Sequence, residues 1–167
     1  MLSDFNLVVS TARDYEQQCE CEIWYNLMAL GDSTPIITRP GIPGLLLVKT
    51  NVNPRKFVQY LRDIITNKDV NYIQFISKMY PVDIVVETDV DTIAQAAVSL
   101  VDNNQMAQDK NSKYRITIRK RQCEYSTDEI IKSVAALIHN PVSLIEYDWN
   151  LEIEIINKYA GISIITD

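Results

Sequence analysis

Arg115, Arg119 and Arg121 recur at even spacing inside the run Lys113-Tyr114-Arg115-Ile116-Thr117-Ile118-Arg119-Lys120-Arg121. Guanidinium groups are suited to planar, bidentate contact with phosphate, so three of them projecting one way would hold an anionic polymer. They project one way only in a β-strand, and the period of two in this run predicts one. Tyr114, Ile116 and Ile118 then share one face, and Lys113, Arg115, Thr117, Arg119 and Arg121 share the other. Lys120 adds a further cation. A charged face of this kind also suits a solvated sheet surface, where Lys and Arg discourage edge pairing. The surroundings must decide between a plain surface and a phosphate-contacting strip.

Ser126-Thr127-Asp128-Glu129 follows closely, an S-x-x-E capping box ahead of the apolar-periodic Ile130, Ile131, Val134, Leu137 and Ile138. Ser126 is in the first place a helix cap and in the second a hydroxyl for a phosphate oxygen. Free backbone N–H groups and the positive dipole end at that helix start would favour anions together with the strand. Tyr125 and Tyr147 could stack on bases, although tyrosine at a sheet edge more often packs.

The 167 residues carry a net charge of −6, which taken alone argues against nucleic acid. The distribution is more informative than the sum. Residues 1–80 are balanced and residues 81–167 carry the whole deficit, yet five of the eight basic residues in that half lie between Lys113 and Arg121. An acidic half has concentrated its cations on one strand.

Other chemistries fall away. Asp83, Glu87, Asp89 and Asp91 lack the spacing of a metal loop, and helix capping accounts for two of them. One histidine, His139, excludes sites built on several. Cys19, Cys21 and Cys123 form an odd set without C-x-x-C spacing, which argues against disulfides and zinc and fits a reducing cytoplasm. There is no G-x-G-x-x-G, Walker or G-x-S-x-G motif, so the expectation is a protein that is not an enzyme and has neither cofactor nor metal. No apolar run reaches eighteen residues, so no membrane span is expected, and no basic-then-apolar leader opens the chain.

The elements that must position the strip read in order. Phe5–Thr11 is a strand, Asp14–Leu30 a helix closed by Gly31, and Pro35–Arg39 and Leu45–Thr50 two more strands. Asn53 and Pro54 start a second helix with Phe57, Leu61, Ile64 and Ile65 as its stripe, and Tyr72–Met79 is read as a fourth strand. This β-α-β-β-α-β order predicts a ferredoxin-like domain over 1–80 in an α+β chain. Pro81 opens a second domain over 81–167. There Val82–Glu87 is extended, Thr88 or Asp89 caps a helix, and Asp102–Ser112 is an exposed loop, mobile unless it meets a partner. The basic strand, the Ser126-capped helix ending at His139-Asn140-Pro141, and two strands, Trp149–Ile156 and Ile162–Ile165, complete it. Exposed sheet edges in either domain leave room for a homodimer.

With these pieces assembled, the second half resembles a THUMP domain, an α/β RNA-binding module attached to several tRNA-modifying enzymes. The whole chain is similar to stand-alone tRNA-acetylation adaptors, in which a ferredoxin-like domain precedes THUMP. The residues that carry the resemblance are Asn6–Arg13, Gly41-Ile42-Pro43-Gly44-Leu45, Pro81–Asp89, Arg115–Arg121, Ser126–Glu129, Asn140-Pro141-Val142 and Asp148-Trp149. The resemblance implies a non-catalytic tRNA-binding adaptor. It would recognise the acceptor end and present tRNA to a separate acetyltransferase or other modifying enzyme, the reaction being cytidine N4-acetylation. Lys113, Arg115, Thr117, Arg119, Lys120, Arg121 and Ser126 would form the contact. The competing reading is a protein-interaction module whose cationic strand meets an acidic protein.

Overall fold

The alternation and caps of the first half close into one four-stranded sheet under two helices. The computed structural model describes residues 3–66 and 73–166, and the chain divides into two units, 1–82 and 83–167. In the first unit β1 (Leu7–Ser10), α1 (Glu16–Ala29), β2 (Ile36–Thr38), β3 (Leu45–Lys49), α2 (Pro54–Thr66) and β4 (Lys78–Pro81) follow one another. The strand order is β2-β3-β1-β4, antiparallel throughout, which is the ferredoxin-like arrangement. Leu7 and Val9 pair with Val48 and Leu46, and that face takes Cys19, Ile23 and Leu27 from α1 and Phe57, Val58 and Leu61 from α2. Each fully buried Leu, Ile or Phe contributes about 1.5–3 kcal/mol, so this layer holds the unit together. Ile65, expected in the same stripe, faces out.

Caps set the helix limits. Gly31 takes the left-handed φ of +95° just past α1, where other residues meet a steric penalty. Asn53 Oδ1 accepts the N–H groups of Arg55 and Lys56 at 3.0 and 3.2 Å ahead of α2.

The fourth strand lies later than Tyr72–Met79, at Lys78–Pro81; Tyr72 itself is outside the described residues. Both differences have a physical cause. The Glu22 carboxylate of α1 accepts the backbone N–H groups of Gln74, Phe75 and Ile76 at 2.6, 3.0 and 2.8 Å, so this stretch satisfies its donors without a ladder. Pro81 can end β4 because β4 is an edge strand, where a missing N–H costs no pairing.

Gly44 is required for a different reason. Its φ is +73°, and a Cβ there would sit 2.6 Å from the Thr11 carbonyl oxygen. Its N–H donates to Glu16 Oε1 at 2.6 Å, and that bond is the main cause holding the Glu16 carboxyl below its usual value. Gly44→Ala is expected to lose about 1–3 kcal/mol through strain and collision. A denaturant titration checks this, and an unchanged midpoint would show that the turn relaxes freely.

The second unit comprises β5 (Ile84–Glu87), α3 (Val90–Asp102), β6 (Tyr114–Arg121), α4 (Thr127–Ala135), β7 (Trp149–Ile156) and β8 (Tyr159–Ile165). Its sheet runs β5-β8-β7-β6. β6 and β7 are parallel because α4 carries the chain back between them; β7, β8 and β5 are antiparallel neighbours. Ile93, Ala97 and Val101 of α3 and Ile130 and Val134 of α4 pack on Tyr114, Trp149, Leu151, Ile153, Ile155 and Ile162. Asp89, rather than Thr88, caps α3 by accepting the Thr92 N–H at 2.9 Å, and that bond is the first cause lowering its carboxyl.

Residues 103–112 are largely exposed, as their polarity predicts, but the loop is tied down at particular points. Ala107 and Ser112 are buried. Asn104 Oδ1 accepts the N–H groups of Met106 and Ala107. Asn140 Nδ2 donates to the carbonyls of Asp109 and Ala107 at 2.9 and 3.1 Å, and Trp149 Nε1 donates to Ser112 Oγ at 3.0 Å. Polar side chains far away in sequence hold the loop's backbone, which composition does not reveal.

Candidate nucleic-acid interface

β6 lies at one edge of its sheet, and the parallel register sets β7 beside it residue for residue: Arg115 against Asn150, Thr117 against Glu152, Arg119 against Glu154. Both strands alternate, so the inner face of each enters the core and the polar faces coincide. The basic face of β6 therefore meets a carboxylate face of β7.

Arg119 and Arg121 come together there. Arg119 NH1 donates to Glu154 Oε1 at 2.8 Å and to Glu152 Oε2 at 3.3 Å, and Arg121 NH1 donates to Glu154 Oε2 at 2.9 Å. The Glu154 side chain is 2% exposed, against 30% and 27% for the two arginines. Burial raises the Glu154 carboxyl above its usual value, opposed by the Arg121 hydrogen bond and the Arg119 charge. Burial alone would lower the Arg119 guanidinium, but Glu152 and Glu154 outweigh it and raise it. These two arginines are thus committed within the sheet, at a site where charge is costly.

The other expected residues fare differently. The Arg115 guanidinium carbon lies 4.1 Å from the Tyr147 ring centroid, a cation–π contact. Its Nε is buried without a hydrogen-bond partner among the described residues. Tyr147 is therefore taken up by Arg115 and not left as a bare stacking platform. Thr117 donates its hydroxyl to Asn150 Oδ1 at 2.9 Å. Lys113 lies 3.9 Å from Glu146, both side chains half-exposed or more, so that pair is worth little. Lys120 points away from the Arg119–Arg121 pair, is exposed and donates to the Tyr125 carbonyl at 2.7 Å. Ser126 caps α4, accepting the Glu129 N–H at 3.1 Å. The first turn of α4 also carries Asp128 and Glu129, which offset the attraction of that helix start for an anion.

The residues missed as partners of the strip are Glu152, Glu154 and Asn150. A trace of them was present: Trp149–Ile156 alternates with the same period as the basic strand and puts both glutamates on its polar face. What pairs with what is a matter of topology.

The second unit is an α/β sheet with two helices and its parallel strand pair at one edge. It contains a THUMP domain: residues 87–165 match the model of that family. Among solved structures, the chain is similar to PH1313 from Pyrococcus horikoshii Ot3, at 19% identity and a TM-score of 0.66, over 98% of this chain and 55% of that one. It is also similar to TrmN from Thermus thermophilus, at 12% identity and a TM-score of 0.59, over 96% of this chain and 46% of that one. A third likeness is to a 4-thiouridine synthetase solved in complex with RNA and bound ATP, at 13% identity and a TM-score of 0.60, over 97% of this chain and 41% of that one. At these identities the likeness is one of fold, and the chain spans about half the length of these relatives. No curated protein matches the chain. Among the described residues, no helix is long and apolar enough to cross a membrane.

Proposed function

We propose that this chain is a non-catalytic tRNA-binding adaptor that holds tRNA by its acceptor end for a separate modifying enzyme, with cytidine N4-acetylation as the reaction served. The observation that carries the RNA-binding reading is the THUMP match over 87–165, seated in a two-unit fold shared with a synthetase solved with RNA. The adaptor role and the acetylation step rest on the motif resemblance to stand-alone adaptors. Lys113, Arg115 and Lys120 are the cations of the strip whose contacts lie outside the buried carboxylate network, so the proposal assigns phosphate contact to them first. With a net charge of −6, binding should be modest and strongly salt-dependent.

Titration of whole tRNA against tRNA trimmed at its 3′ end tests this directly, with weaker binding expected for the trimmed form. Lys113→Ala/Arg115→Ala/Lys120→Ala should flatten the log–log salt slope by about 0.9 for each lost duplex phosphate contact, or about 0.7 on a single strand. An unchanged slope in that variant would remove the strip from the interface. No binding of wild-type protein at low salt would remove the RNA reading itself.

A further inference from the structure

β5, β6 and β7 of the second unit run in one direction and β8 opposes them, so their carboxyl ends meet at one end of the sheet. Ligands of open α/β sheets bind in a crevice beyond such ends. One of about 520 Å³ lies here, lined by Glu87 and Thr88, residues 122–125 and residues 157–159. That volume falls in the range of pockets for small groups. Backbone bonds hold its walls: the Thr88 N–H donates to the Lys158 carbonyl at 2.8 Å, and the Asn157 N–H to the Arg121 carbonyl at 2.9 Å.

The charges around this pocket ask for a cation. Glu87 and Glu124 are exposed and, among the described residues, in no ion pair. Asp89 and Asp91 at the start of α3, and Asp128 and Glu129 at the start of α4, outweigh the pull of those helix ends on an anion. Asp89 stays ionised, because the bonds from Thr92 lower its carboxyl. Against these carboxylates stand Lys158 in the lining and Lys120 on the Tyr125 carbonyl. Arg119 and Arg121 are balanced by Glu152 and Glu154. The Thr88 hydroxyl oxygen is buried in the pocket wall without a partner among the described residues, so it can accept a donor. Tyr125 and Tyr159 add two part-buried rings. Carboxylates, a hydroxyl and aromatic faces together match a guanidinium, which is planar, rich in donors and stacks on rings. This chain makes the same stack internally, with Arg115 4.1 Å from the Tyr147 ring centroid.

We propose that this pocket receives an arginine side chain of a second protein, stacked on a lining tyrosine and donating to Glu87 and Glu124. The same carboxylates would repel a phosphate, so the partner is a basic protein surface and not an RNA backbone. Exposed Gln122, Glu124, Asn157 and Lys158 at the rim leave the pocket within reach of a side chain on another molecule. The site does not rest on the tRNA reading and stands if that reading fails.

An NMR titration of the full chain with N-acetyl-arginine methylamide, which models an arginine within a chain, tests the proposal. Saturable shifts are expected at 87–88, 122–125 and 157–159. The neutral citrulline analogue should bind roughly tenfold or more weakly, and Glu87→Gln/Glu124→Gln should weaken the arginine probe as much. Both glutamates are exposed, and an unchanged unfolding midpoint confirms that the fold survives. Lys158→Gln should tighten binding, since it removes the opposing charge. Free arginine should bind less well than the blocked form, because its own carboxylate meets the same repulsion. No saturable shift at these residues with the probe at roughly 10 mM would overturn the proposal. So would equal binding of the citrulline analogue, tighter binding of free arginine, or preferential binding of cytidine in the pocket.

Discussion

Arg119→Ala/Arg121→Ala is expected to destabilise the second unit by about 3 kcal/mol at neutral pH, the lower end for breaking a buried ion pair, since both arginines keep some contact with water. The cause is Glu154, 2% exposed, which would lose its bonds of 2.8 and 2.9 Å and remain as a carboxylate in the sheet. The deficit should depend on pH in a defined sense. Without the arginines, burial holds the folded-state pKa of Glu154 above its unfolded value of about 4.3. A carboxyl raised in this way binds more protons folded than unfolded, so stability falls as pH rises through that window. The gap to wild type should therefore narrow as the pH is lowered toward 4, read by urea unfolding at each pH. Arg119→Met/Arg121→Met/Glu154→Leu removes all three charges and should recover most of the loss. If the double alanine variant matched wild type at neutral pH, the network would be ornamental. The result also bears on the proposed function, because a loss of RNA binding in that variant would be confounded by unfolding, whereas Lys113, Arg115 and Lys120 can be changed without stranding Glu154.

Trp149→Ala should have a comparable or larger effect. Trp149 is fully buried, stacks on Tyr114 with ring centroids 4.8 Å apart, and donates to Ser112 Oγ. Truncation removes a large apolar volume and opens a cavity, at about 3–5 kcal/mol. For a unit of this size that lowers the melting temperature by roughly 12 °C or more. Trp149→Phe should cost less, mostly the hydrogen bond to Ser112 at about 1 kcal/mol. Hydrogen exchange localises the consequence: Trp149→Phe should expose amides of residues 106–112 that Ser112 and Asn140 anchor, and protection unchanged there would mean that Asn140 suffices.

Much of the fold could be read from local pattern. The Ser126 box, Asn53 before Pro54 and Gly31 after α1 each act within a few residues, where the chain itself supplies both partners. The order of elements and the alternating faces of β6 and β7 follow from periodicity for the same reason. What could not be read were contacts between distant residues. Glu22 holding 74–76 displaced the fourth strand, and Asn140 with Trp149 anchored the polar 103–112 loop.

The candidate site divides in the same way. The sequence by itself determined that cations concentrate on one strand of an acidic half, because alternation and charge are properties of the chain. Only the tertiary structure decided what those cations meet. A parallel crossover brought Glu152 and Glu154 against Arg119 and Arg121, and Tyr147 under Arg115, since strand order and register depend on how helices pack on the sheet.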